Sequence, residues 1–153
     1  MYLLDTNVVS ELRKIRGGKA DPNVVAWAGS VDASQLFVSA ITILELQLGV
    51  LSLERKDPRQ GELLRAWLEQ QVLPEFAGRT LAVDTEVALR CASLHIPSRR
   101  SERDALIAAT ALVHSMTVVT RNVADFESTG VSIINPWNAA RRPLAGADGN
   151  GDR

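Results

Sequence analysis

The chain has 153 residues, 46% hydrophobic and 23% charged, with a net charge of -1 at neutral pH. That length suits one domain with a substantial core and leaves little room for a second, and the composition excludes a disordered or fibrous protein. The near-zero charge gives no global attraction to nucleic acid, so a polyanionic partner must be held by a local basic patch or through a cation.

The chain opens on an apolar run, Met1 to Leu4, that stops at Asp5-Thr6-Asn7. This reads as a short strand, Tyr2 to Leu4, buried on both faces, with Thr6 or Asn7 capping a helix from Val8 to Arg13. Lys14 to Asp21 is a basic, glycine-bearing loop, and Pro22 opens a second helix through Trp27. Leu36 to Ser39 is the second strand. Thr42 then starts an apolar helix through Leu51, with Glu45 in its first turn. Asp57-Pro58 marks another helix start, and Leu63, Leu64, Trp67 and Leu68 form a stripe for the core or a subunit interface, ending near Pro74.

Arg79 to Val83 is a short strand, and Asp84 caps a helix that runs to about His95 before Pro97 breaks it. The single Cys91 lies in that helix and excludes an internal disulfide; a small buried thiol is expected there. After the basic loop Ser98 to Ser101, Asp104 opens the most apolar helix, Ala105 to His114. Thr117 to Thr120 and Val131 to Ile134 are the last strands. The domain is expected to span 1–137, with 138–153 a flexible tail. No long apolar run or leader segment is present, so a soluble, cytoplasmic protein is expected. Alternating strands and helices predict an α/β fold: three layers, α/β/α, around a short, mostly parallel sheet.

In such a sheet the strand carboxyl ends and the amino ends of the following helices share one edge, where ligands and chemistry gather. Asp5, Glu45, Asp104, Asn122 and Asp125 all belong there by their place in the chain. Carboxylates crowded together repel unless a cation sits among them, and a hard divalent ion needs only a few oxygen ligands from the protein. Each residue also has an ordinary structural reading. Asp5 can cap a helix, and Glu45 can close a capping box with Thr42. Asp104 can face a helix dipole, Asp125 can cap a turn, and Asn122 can sit in a left-handed loop.

Four segments in order resemble PIN-domain nucleases. They are Leu4-Asp5-Thr6-Asn7, Ser39 to Leu46 with Gly49, Asp104 to Ala111, and Thr120-Arg121-Asn122 with Asp125-Phe126. With Asn135-Pro136-Trp137, their order and spacing are most similar to the VapC and FitB toxins of bacterial toxin-antitoxin pairs. The resemblance covers Met1 to Trp137. It implies a PIN fold and a ribonuclease dependent on Mg²⁺ or Mn²⁺, with Asp5, Glu45 and Asp104 matching the family's main acids. The position matching a variable fourth acid holds Asn122, and Asp125 is the nearest substitute. Thr120 matches a hydroxyl residue near the site, and Thr6 is a further supporting candidate. The resemblance also implies a VapB-like antitoxin, an RNA substrate and a homodimer, possibly within a larger toxin-antitoxin assembly.

On this reading a metal-activated water attacks the RNA phosphodiester, with Asp5, Glu45, Asp104 and Asp125 as the catalytic and metal-binding acids and Asn122 completing the set. Arg99, Arg100 and Arg103 flank Asp104 and are candidates for holding RNA phosphates, with Arg13, Lys14 and Arg16 a second patch. Two competitors stand beside it. An aspartate ending the first strand could be the nucleophile of a phosphotransfer enzyme, although the usual partner acid is replaced by Asn7. A non-catalytic module could also keep the fold and bind nucleic acid or protein.

Overall fold

A computed structural model describes residues 1–139. Residues 140–153, most of the expected tail, lie outside the described residues. Five strands, β1 (Tyr2–Leu4), β2 (Leu36–Ser39), β3 (Thr80–Leu81), β4 (Thr117–Val119) and β5 (Ile133–Ile134), form one sheet. Every pairing is parallel and the order is β3-β2-β1-β4-β5. β3 and β5 are shorter than the expected runs 79–83 and 131–134, as suits strands at the two borders of the sheet.

The helices are α1 (Thr6–Arg13), α2 (Pro22–Ser30), α3 (Ala40–Lys56), α4 (Pro58–Trp67), α5 (Leu73–Glu75), α6 (Thr85–Leu94) and α7 (Glu102–Val113). A π-helical turn, Leu68–Val72, joins α4 to α5. Alternation along the strands separates two cores. Leu4, Leu36, Val38 and Val119 point to one face, against Val8, Val9, Leu46, Val50, Leu68 and Val72 of the α1 to α5 layer. Leu3 and Val118 point to the other, with Phe37 packed beside them, and meet Ile107, Ala108 and Ala111 of α7. Behind α7, Val87 and Cys91 of α6 close a small third cluster, where the thiol is buried as expected. The three-layer α/β/α fold is therefore the one anticipated.

α3 and α4 approach closely at Gly61, where an added Cβ would lie 2.6 Å from the Glu54 Cα. A two-pronged Arg65–Glu54 ion pair, at 2.6 and 3.0 Å, fastens the same crossing. Among the described residues, no helix is long and apolar enough to cross a membrane.

Candidate active site at the carboxyl edge of the sheet

β1 ends at Leu4, and the Asp5 amide donates to Val119 O at 2.9 Å, so the backbone leaves the sheet at Asp5 itself. Its Oδ1 accepts from the Thr6 amide at 2.8 Å, making Asp5, and not Thr6 or Asn7, the cap of α1. Capping uses only one oxygen. Oδ2 accepts from the Thr120 hydroxyl at 2.7 Å and from the Asn7 side-chain amide at 3.4 Å. Thr120 Oγ1 in turn accepts from the Asn122 amide at 3.0 Å, and Asn7 Oδ1 accepts from the Arg121 amide at 3.2 Å. These bonds tie the ends of β1 and β4 into one rigid corner.

Thr42 does not start α3, and Glu45 lies neither in the expected first turn nor in a capping box. α3 begins at Ala40, capped by the Ser39 hydroxyl on the Ile41 amide at 3.0 Å, so Glu45 lies in the second turn. Thr42 is fully buried, and its hydroxyl has no hydrogen-bond partner among the described residues. Glu45 is thus free of its own helix end. It accepts from Thr6 Oγ1 at 3.0 Å and faces Arg103 Nη1 at 3.6 Å. α7 starts two residues before Asp104, which places that acid in the helix's first turn. Asp125 ends the 3₁₀ turn Val123–Asp125 and is exposed. Asp104 and Asp125 share a cleft of about 280 Å³ with Arg99, Arg100, Ser101 and Ser128.

The acids feel one another. Burial, and then the charges of Asp125, Asp5 and Glu45, push the Asp104 carboxyl up to about 6. Burial likewise raises Asp5 above its ordinary value against the opposing bonds from Thr120 and Thr6, and Asp125 adds to the rise. This all-oxygen set of mutually repelling carboxyls fits a hard divalent cation. Among the described residues, no three of these acids bring oxygens within 4.8 Å of one another. That spacing suits an ion that keeps several waters better than one caged by protein alone.

The PIN domain model matches residues 2–131. The chain belongs to the PIN domain family. It is 38% identical over 145 residues to the VapC ribonuclease Y4jK of Sinorhizobium fredii, covering 92% of this chain and 100% of that protein. It is 40% identical over 144 residues to Toxin FitB of Neisseria gonorrhoeae, covering 90% and 99%. The solved structure of FitAcB from Neisseria gonorrhoeae superposes with a TM-score of 0.80 at 39% identity, over 90% of this chain and 99% of that one. The resemblance drawn from four short segments thus holds across the fold, and divalent-metal dependence is the general property of PIN ribonucleases.

The PIN domain brings Asp5, Glu45, Asp104, Asp125, Thr6 and Thr120 into one constellation, with Asn122 at its rim. The arginines divide. Arg99 is exposed beside the cleft, and Arg103 is half exposed against Glu45. Arg100 is occupied as a brace, donating to Leu94 O and to Ser128 Oγ, both at 2.7 Å. Arg13 and Lys14 sit at the far end of α1, roughly 10 Å from Asp5 along the helix, where Arg13 stacks over Trp67 and Lys14 pairs with Glu11. Sequence reading weighed Asn7 only as a cap and as a missing acid, whereas its amide bridges Asp5 and Thr120. The signal was present in the sequence: an amide two residues after a strand-ending aspartate faces the same corner.

Proposed function

We propose that this PIN domain, carried by residues 1–137, is the toxin of a toxin-antitoxin pair and hydrolyses RNA phosphodiester bonds using Mg²⁺ or Mn²⁺. The observation that carries the reading is the coupled group of acids at the sheet edge, with the Asp104 carboxyl lifted to about 6 by burial and then by the charges of its neighbours. Sequence identity of 38% to a VapC ribonuclease and 40% to Toxin FitB, over nearly the whole of each chain, supports the activity and the role.

When bound, the cation lowers the pKa of a water and neutralises charge growing on the phosphate. Asp5 and Asp104 would hold the cation directly. Thr120, Thr6 and Asn7 hold Asp5 and Glu45 in place, which spares reorganisation during the reaction. Glu45 orients the attacking water. Asp125 with Asn122 would complete a second metal position, and Arg99 and Arg103 would hold substrate phosphates. A small VapB-like antitoxin silences the toxin by covering this edge. Leu44, Leu48 and Leu51 of α3, each 44–47% exposed and spaced along one helical face, support a homodimer.

The test is cleavage of a panel of structured and single-stranded RNAs with Mg²⁺, Mn²⁺ or EDTA, comparing the parent with folded Asp5→Asn and Asp104→Asn. Metal-dependent cleavage lost in both variants is expected. Metal binding without cleavage would favour the non-catalytic module, and release of phosphate from small monoesters would favour phosphotransfer.

A further inference from the structure

Away from the acidic edge, a second group of metal-ligating side chains has assembled between α6 and α7. Cys91 and His95 are four residues apart on α6 and so share a helix face; Glu102 is the first residue of α7. Cys91 Sγ lies 3.8 Å from His95 Nε2 and 3.9 Å from Glu102 Oε1, and His95 Nε2 lies 3.6 Å from Glu102 Oε2. Among the described residues, this is the one group of three whose ligand atoms all fall within 4.8 Å of one another.

Zinc bonds run about 2.3 Å to thiolate sulfur and about 2.0–2.2 Å to imidazole nitrogen and carboxylate oxygen, so a tetrahedral centre sets such atoms roughly 3.4–3.6 Å apart. The Cys91–His95 gap exceeds that by a few tenths of an ångström, while Glu102 turns Oε1 to the sulfur and Oε2 to the imidazole, so that one oxygen closes the set to within 4.8 Å. The cluster also has an open side. It lines a cavity of about 420 Å³ together with Ala88, Ile96 and Arg99, leaving a fourth position to water. Cys91 is buried, the His95 side chain is 15% exposed and Glu102 is exposed.

We propose that Cys91, His95 and Glu102 form a binding site for a borderline divalent ion of the zinc class, separate from the hard-ion site at the sheet edge. A thiolate and an imidazole select such ions over Mg²⁺. The rival reading, a reactive thiol, lacks its requirements. Burial and the Glu102 charge push the Cys91 thiol up rather than down. His95 Nδ1 receives the Arg100 amide, at 3.3 Å, instead of an orienting acid. That contact makes a further demand. Metal at Nε2 puts the ring proton on Nδ1, so the Arg100 amide must turn away, and loading the site moves the loop that leads into α7.

The full chain, stripped with EDTA, is titrated with Co²⁺ in excess Mg²⁺. The expected result is one cobalt per chain, a thiolate-to-cobalt charge-transfer band with the visible bands of a four-coordinate centre, and displacement of both by Zn²⁺. Cys91→Ala abolishes the band. His95→Gln and Glu102→Gln, which leave the thiol in place, weaken binding roughly tenfold or more, while Asp5→Asn leaves it unchanged. Circular dichroism checks the fold of each variant. A folded parent without the charge-transfer band overturns the site, and so does undiminished affinity in His95→Gln and Glu102→Gln, which marks a bare thiol adduct. RNA cleavage takes no part in the readout, so this site and the ribonuclease reading fail independently.

Discussion

The two ends of α1 each carry an acid with little exposed surface and treat it in opposite ways. Asp5, at the amino end, is 6% exposed and its carboxyl is raised; Glu11, in the last turn, is 8% exposed and its carboxyl is lowered. The helix dipole predicts the reverse, since it favours an anion at the amino end and opposes one at the carboxyl end. Partners decide instead. Glu11 accepts from the Asp21 amide at 3.0 Å and from Lys14 Nζ at 3.1 Å, so its charge is satisfied and it staples α1 to the start of α2. Asp5 has hydroxyl and amide donors of its own, but burial and the charge of Asp125 outweigh them. Asp5 marks a site because desolvation, and then the charge of a second acid, outweigh its donors, whereas the donors of Glu11 satisfy its charge.

The sharpest break of this comparison is Asp5→Asn against Glu11→Gln in the metal-dependent RNA cleavage assay. Asp5→Asn is expected to lose about a hundredfold or more in kcat/KM, several kcal/mol of metal-mediated stabilisation. Glu11→Gln should cleave like the parent; a comparable loss there would erase the distinction. Next in size is Thr120→Val, which removes the 2.7 Å bond to Asp5 Oδ2. It should cost roughly tenfold in metal affinity, read from the Mg²⁺ dependence of the rate, with kcat recovered at saturating metal.

Stability should divide the satisfied acid Glu11 from the crowded acids of the site the other way. Glu11→Ala leaves the Asp21 amide without its acceptor and is expected to cost about 1–3 kcal/mol in urea unfolding. Asp104→Asn should instead stabilise the metal-free chain by about 1–2 kcal/mol at pH 8. The sign follows from linkage. Asp104 titrates near 6 in the fold against 3.8 ordinarily, so the folded state holds the extra proton between those values. Its contribution to stability is present below about pH 4 and is lost as pH rises through about 6. A melting temperature of the metal-free parent that falls across this window, and falls less in Asp104→Asn, supports the crowded-charge account. A flat profile in both would remove it. At subsaturating Mg²⁺, the same titration makes activity drop as pH falls through about 6.

Much of this was readable along the chain because it depends on local patterns. Alternation of apolar strands with capped helices carried the layer order, and the two faces of β1 follow from Leu3 and Leu4 alone. Strand ends and first turns likewise brought Asp5, Asp104 and Asp125 to one edge. The error at Glu45 shows where such reading stops. Thr42-Ile43-Leu44-Glu45 satisfies a capping pattern, but Ser39 caps three residues earlier and Thr42 is carried into the interior. Two hydroxyl residues three positions apart compete for one role, and packing of Ile41 and Leu46 against opposite faces of the sheet sets the register of the helix.

What the sequence determined by itself was therefore the fold class, the family and the edge to which the acids belong, since these follow from spacing within single elements. Tertiary structure alone decided which hydroxyl holds which carboxylate, and that Arg100 braces a loop while Arg99 is exposed beside the cleft. It also decided that Cys91 meets Glu102 across two helices. Thr6 reaches Glu45 and Thr120 reaches Asp5 over separations of 39 and 115 residues. Contacts of that range depend on how the helices are seated on the sheet, a property of their packed surfaces that no local pattern encodes.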